Sequence, residues 1–213
     1  MKNQLTLFDA DPGDRLHRDW GTDHDLFGQV LEVRRQIHGR ATVYPFDEYS
    51  DHYLLTRDWR PIGSLTVTHA SDGPVDCQGF YPDALFDRFG DRLISACKSG
   101  LVPHEGGFGI WRRFVQSGWH ELLHRGVRLD VINVRRDRRR AFEAMGYVPI
   151  QGCRFTHPTL GTDSVGMFLA ADPSRRSMCR SVFEQFLGER LPVGHVLSVI
   201  AGGTPAEASG AAE

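Results

Sequence analysis

The stretch from Leu93 to Val134 constrains the fold more than any other part of the chain. An apolar run from Leu93 to Val102 leads into the glycine-rich turn His104-Glu105-Gly106-Gly107-Phe108-Gly109. A helical pattern follows from about Ile110 to His124, with Ile110, Phe114, Val115, Leu122 and Leu123 as its apolar positions and Gly126 as its stop. Val127 to Val134 then alternates as a buried strand does. Strands interleaved with helices imply a mixed α/β sheet.

The flanking segments extend that sheet. Leu26, Val30, Val33 and Ile37 recur every three or four residues, which predicts a helix ending near Gly39. Tyr53 to Thr56 and Ile62 to Val67 flank the turn Asp58-Trp59-Arg60-Pro61 and read as a hairpin. Short helices are expected at Pro82 to Phe89 and at Asp137 to Met145, the second closed by Gly146. Tyr147 to Phe155 and Ser164 to Ala170 read as strands, and Ser174 to Leu187 as an arginine-rich helix. The polar first 24 residues read as a loose arm, and residues 191–213 as an extension that ends in disorder. Residues 25–190 remain as one domain.

Composition narrows the function classes. A chain of 213 residues with 40% hydrophobic content has enough apolar mass for a single core. Its net charge of -2 excludes a generically basic nucleic-acid binder. No apolar run reaches the roughly 18 residues of a membrane span, and the acidic N-terminus is unlike a signal peptide. Cys77, Cys97, Cys153 and Cys179 are scattered, which fits reduced thiols in a cytoplasm and not a disulfide framework or a cysteine zinc site.

The glycine turn carries the first chemical signal. Glycines before a helix let backbone N–H groups converge on a ligand, and the helix N-terminus adds partial positive charge, so the turn suits a phosphate. A plain structural turn is the alternative. The order strand, turn, helix, strand, short helix, Gly-aromatic resembles the GNAT acyltransferase superfamily. His104, Gly107 and Gly109 stand at the positions of that superfamily's phosphate-loop pattern, without its leading Arg or Gln. Asn133 and the run Ala141 to Tyr147 resemble its second motif, with Phe142 where a general-acid tyrosine often stands.

The N-terminal half narrows the resemblance to acyl-homoserine-lactone (autoinducer) synthases and N-acyl amino acid synthases. It rests on Arg34 or Arg35, on Asp47, Glu48 and Asp51, on the Tyr81-Pro82 turn and on Lys98. Thr66 stands where a strand arginine is expected, which favours the N-acyl amino acid synthase side. No carboxylate neighbours Lys98 in sequence. The resemblance implies a single GNAT-like domain, a twisted mixed sheet of about six or seven strands with helices on both faces. The strand ending at Val102 and the one from Val127 are expected to splay. Implied too are an acyl-carrier-protein or acyl-coenzyme A thioester as co-substrate, an amine or amino acid as acceptor, and no permanently bound cofactor. Val102, His104, Gly106, Gly107, Phe108, Gly109 and Ile110 would hold the donor, and Arg34, Arg35, Lys98, Ser99 and Asn133 the substrates.

Attack on a thioester needs a neutral amine, so a carboxylate in reach must take a proton. Asp47, Glu48 and Asp51 are expected to face the cleft and supply it, a solvated acidic loop being the alternative. Arg135, Arg136, Arg138, Arg139 and Arg140, with Arg112 and Arg113, form a basic concentration suited to steering an acidic carrier protein. Nucleic acid is less suited, because aromatics are not interleaved. A competing signature is His120-Glu121-Leu122-Leu123-His124, an H-E-x-x-H helix with Glu143 as a third zinc ligand. The strand expected between His124 and Glu143 argues against a zinc hydrolase. A non-catalytic thioester-binding module of the same fold is the other alternative.

Overall fold

The computed structural model describes residues 3–5, 14–105 and 107–202. Its sheet is built from β1 (Asn3–Leu5), β2 (Asp14–Trp20), β3 (Ser50–Arg57), β4 (Arg60–His69), β5 (Leu93–Leu101), β6 (Leu129–Arg135), β7 (Val148–Thr156) and β8 (Asp163–Ala170). They lie in the order β1-β2-β3-β4-β5-β6-β8-β7. All neighbours are antiparallel except β5 and β6, which are parallel and bracket α3 (Phe108–His124). Seven strands have seven or more residues and β1 has three, so the expected mixed sheet is present. No helix is long and apolar enough to cross a membrane among the described residues.

Period-two alternation gives the sheet two buried faces. Tyr53 and Leu55 of β3, Leu65 and Val67 of β4, and Ile132 and Val134 of β6 point to one face. There they meet Phe114, Val115, Trp119, Leu122 and Leu123, the apolar stripe of α3, and Phe183 of α5 (Arg180–Gln185). On the other face, α1 (Asp25–His38) lays Phe27, Val30 and Val33 against Leu54. Beside it, α2 (Asp83–Phe89) and α6 (Val193–Ile200) cover Leu93, Leu129, Val131 and Phe168. Helices therefore lie on both faces. α4 (Arg139–Met145) ends at Gly146, whose φ of +106° favours glycine and where a Cβ would lie 2.3 Å from Ser177.

Three sequence expectations are corrected. Residues 14–20 are not a loose arm: they pair with β3 from Asp14↔Arg57 to Trp20↔Asp51, Leu16 is fully buried, and Asp14 binds Arg57 at 2.7 Å. His24 then caps α1 by accepting the N–H of Phe27. Residues 174–187 hold only the short α5, because their first half bonds elsewhere. The Ser174 N–H turns to Asp172, and the Met178 N–H goes to the Met145 carbonyl. Residues 191–200 belong to the core: Leu191, Val193, Val196 and Val199 are buried, and Asp172 accepts the Val193 N–H at 2.9 Å. The remaining arm residues, 1–2 and 6–13, and the tail 203–213 lie outside the described residues. The hairpin turn is Asp58-Trp59 alone, both with positive φ, and Arg60 already pairs with Arg57.

Candidate functional site

β5 and β6 touch at two registered pairs, Leu93↔Leu129 and Ile94↔Asp130, and then diverge. Beyond that point the Ala96 N–H is received by the Asp130 side chain at 2.9 Å instead of by β6 backbone. β5 is also irregular against β4 between Ser64 and Thr66, and Lys98 has a φ of +50°. The strands thus splay as expected, and a cavity of about 460 Å³ opens between them.

The cavity has two unlike halves. Beneath α3 it is apolar, lined by Leu65, Val67, Ile94, Trp119, Leu122 and Ile132. At the other end Lys98, Ser99, Asn133, Asp76, Tyr44 and His38 make a polar mouth. Asp76, from the connection between β4 and α2, is the hub there. Its Oδ2 accepts from Lys98 Nζ at 3.3 Å and from Asn133 Nδ2 at 3.2 Å. Lys98 Nζ also lies 4.2 Å from the centre of the Tyr44 ring. Burial raises the Asp76 carboxyl, but the Lys98 ammonium and Asn133 amide outweigh it and hold the group below its ordinary value. Asp76 is therefore an anion at neutral pH. It supplies beside Lys98 the carboxylate that sequence adjacency does not.

His157, 1% exposed, directs Nε2 toward Asp76 Oδ2 at 3.8 Å. Its Nδ1 accepts the N–H groups of Thr159 and Leu160, and burial pushes the ring below its ordinary value. A neutral ring so bonded carries its proton on Nε2. Among the described residues, Asp76, Cys77 and His157 are the one group of three metal-type ligands within mutual reach. That tautomer and the adjacent ammonium disfavour a cation, so the cluster is a carboxylate ringed by donors.

The acidic residues singled out in the sequence do not face this cavity. Asp47 is fully buried in a two-pronged pair with Arg34, at 2.7 and 2.8 Å, and also accepts the Tyr44 N–H. Arg34 further donates to Thr66 Oγ1 at 2.6 Å and to the Thr42 carbonyl. The expectation of a substrate-binding Arg34 and a proton-accepting Asp47 is thus corrected: each is consumed by the other. Thr66, with no guanidinium of its own, receives that of Arg34. Glu48 is exposed on the surface, and Arg35 is exposed and bonded to Glu32. Asp51 lies on the α3 side, bound to Arg125, to Arg18 at 3.5 Å and to His69 at 3.3 Å. Alternation along β3 sends it away from Asp47's side.

Val102, His104, Gly107, Phe108, Gly109 and Ile110 form the turn and first turn of α3, outside the cavity lining; Gly106 lies outside the described residues. A Cβ at Gly107 or Gly109 would meet nothing within 4 Å, so the fold itself does not demand glycine at either. Ile110 donates to the Gly107 carbonyl at 3.1 Å, leaving Phe108 and Gly109 as the outward N–H groups of the helix start. His120 and His124 are neighbours, with ring centres 4.9 Å apart, but Glu121 turns away to Arg18 at 3.0 Å. Glu143 pairs with Arg139 at 2.9 Å, so the zinc constellation is not assembled.

No protein-family model and no curated protein matches the chain. Solved structures do. The AHL synthase LasI superposes with a TM-score of 0.61 at 11% identity, over 90% of this chain and all of that one. FeeM, an N-acyl amino acid synthase from uncultured soil microbes, gives 0.57 at 11% identity, over 74% of this chain and 90% of its own. An acyl-CoA N-acyltransferase from Pseudomonas aeruginosa gives 0.54 at 10%, over 74% and 99%. The chain has the fold of these GNAT-type acyltransferases.

Proposed function

We propose that this protein is an N-acyltransferase that moves an acyl group from a pantetheine thioester to the amine of an amino acid or similar small molecule. The observation that carries this reading is the two-pair contact between β5 and β6, which opens the sheet into a cavity with one apolar end and one polar end where the Asp76 carboxylate lies. The phosphate of the donor sits at the N–H groups of Phe108 and Gly109, where the helix dipole favours negative charge. The pantetheine arm enters the splay, and the acyl chain lies in the apolar half beneath α3.

The acceptor's ammonium is drawn to the Asp76 carboxylate at the mouth. Asp76 accepts one proton from that ammonium, and the neutral nitrogen attacks the thioester carbonyl. The C–N bond forms, the C–S bond breaks, and the second nitrogen proton goes to the departing thiolate. Phe142, which has no hydroxyl, cannot supply that proton. Lys98 holds Asp76 in place and offers its ammonium to charge on the substrates.

The test is direct. The protein is incubated with acyl-carrier protein or acyl-coenzyme A and a pool of amino acids, and N-acyl products are sought by mass spectrometry. Products that vanish in Asp76→Asn support the reading; no product with either donor overturns it.

A further inference from the structure

The apolar half of the cavity has one polar break in its wall. Asp130 is fully buried where β5 and β6 part, and it lines the cavity. Its Oδ1 accepts the Ala96 N–H at 2.9 Å and its Oδ2 accepts the Tyr147 hydroxyl at 2.6 Å. Tyr147 follows the glycine that ends α4 and lines the same space.

An ionised carboxylate offers about four acceptor positions, and the two bonds present fill only part of that capacity. The phenol, its proton committed to Asp130, can only accept as well. A plain hydrocarbon chain in the chamber would leave these acceptors dry and unfilled, which costs binding. A carbonyl on the chain would bring one more acceptor to a place already short of donors. A hydroxyl brings a donor, and because it also accepts, it suits the carboxyl in either protonation state.

Resting on the acyltransferase reading above, we infer that Asp130 and Tyr147 select an acyl chain bearing a hydroxyl group, bonded at the apex of the splay. The pair acts on donor choice and does not touch the reacting carbonyl.

The experiment measures binding apart from turnover. Phosphopantetheine thioethers of one chain length, with no oxygen, one hydroxyl or one oxo group at successive positions, are titrated calorimetrically at pH 8.5. One hydroxyl position should bind about tenfold tighter than the unsubstituted chain, the worth of a hydrogen bond to a charged group. Tyr147→Phe, which deletes a single oxygen, should reduce that ratio. Asp130→Asn puts an N–H₂ donor in the wall and should shift preference toward the oxo chain. Equal affinities across the series in the unaltered protein, or a ratio indifferent to both substitutions, would overturn the inference while leaving the acyltransferase reading intact. If no thioether binds at all, that reading itself fails.

Discussion

Two carboxylate–cation pairs lie close together in this molecule, and they have opposite characters. Asp47 and Arg34 are sealed: their side chains are 0% and 1% exposed, and both prongs of the pair are made. Asp76 and Lys98 sit at the mouth of a cavity, each side chain 11% exposed, in a single contact of 3.3 Å. The sealed pair ties α1 to the Asp47 segment, with Arg34 also bonded to Thr66 of β4, and its burial leaves no path for a ligand. In the pair at the cavity mouth Lys98 and Asn133 both bond Oδ2, and among the described residues Oδ1 meets only the Cys77 thiol at 3.5 Å, so the anion keeps room to receive an ammonium. The difference lies in which neighbours saturate each pair, not in residue type.

Breaking each pair in turn gives the largest expected effects. Asp47→Asn leaves the Arg34 guanidinium buried and uncompensated, and should cost about 3–5 kcal/mol of stability, read from the urea midpoint. Asp76→Asn should lower that midpoint by less, because Lys98 lies at the cavity mouth and keeps its contact with the Tyr44 ring. If Asp76 anchors the acceptor, the same substitution should lower kcat/KM for the amine by roughly a hundredfold, equivalent to about 2.7 kcal/mol. An Asp76 variant that unfolds while the Asp47 variant stays folded and inactive would reverse the two assignments.

Asp130 extends the comparison to an anion that has no cation at all. Burial lifts its carboxyl from an ordinary 3.8 to about 7, partly offset by the Tyr147 hydroxyl and the Ala96 N–H. Between those values the folded state holds a proton that the unfolded state has lost, so stability falls as pH rises through this window. The penalty is complete above the folded value and on the order of 4 kcal/mol. Asp130→Asn removes the titration, so its melting temperature should exceed that of the unaltered protein at pH 8.5 and converge with it near pH 4. A constant offset across that range would show that Asp130 does not titrate there.

The contrast also explains what could be read in the sequence. The run from Leu93 to Val134 is legible because its apolar period changes where its glycines fall, while the splay and the helices on both faces are what the family resemblance implies. β2 was hidden because only Asp14 and Leu16 are buried on it, too few for an alternation. α6 leaves a trace, Val193, Val196 and Val199 behind Pro192, but its eight residues are too few to stand apart from the polar tail that follows. Lys98, Ser99 and Asn133, which the family resemblance marks, line the cavity, and so does Asp76, which it does not mark. It sits in the polar connection SDGPVDCQG, and its partners are 22 and 57 residues away. No local pattern marks such a residue. Asp47, Glu48 and Asp51 had the right chemistry, but saturation by Arg34, by solvent and by Arg125 is set by tertiary structure.

A smaller effect is expected at the helix start, where function and stability should move in opposite directions. Gly109 has open space around its Cβ position, so Gly109→Ala should raise helix stability by about 1 kcal/mol. If the backbone there receives the donor's phosphate, Gly109→Val should raise the donor KM roughly thirtyfold with little change in the amine KM. Equal effects on both substrates would remove the phosphate assignment.

The last prediction concerns the arginines, where the lesson of saturation applies once more. Arg135 binds Asp137, Arg136 lies 3.5 Å from Asp163, and Arg139 binds Glu143 at 2.9 Å, so their charges are partly spent locally. Arg138 and Arg140 are exposed beside them and are the better candidates for reaching an acidic partner. Reversing both to Glu should lower kcat/KM for an acyl-carrier-protein donor by about tenfold at low salt, because long-range attraction sets the encounter rate. The loss should shrink as ionic strength rises and the screening length falls below about 10 Å. A short acyl-pantetheine, with no protein surface to dock, should be almost indifferent to the change. Equal loss with both donors would place the arginines in the fold or at the donor's phosphates. No loss with either would make them a solvated helix face and coenzyme A the donor.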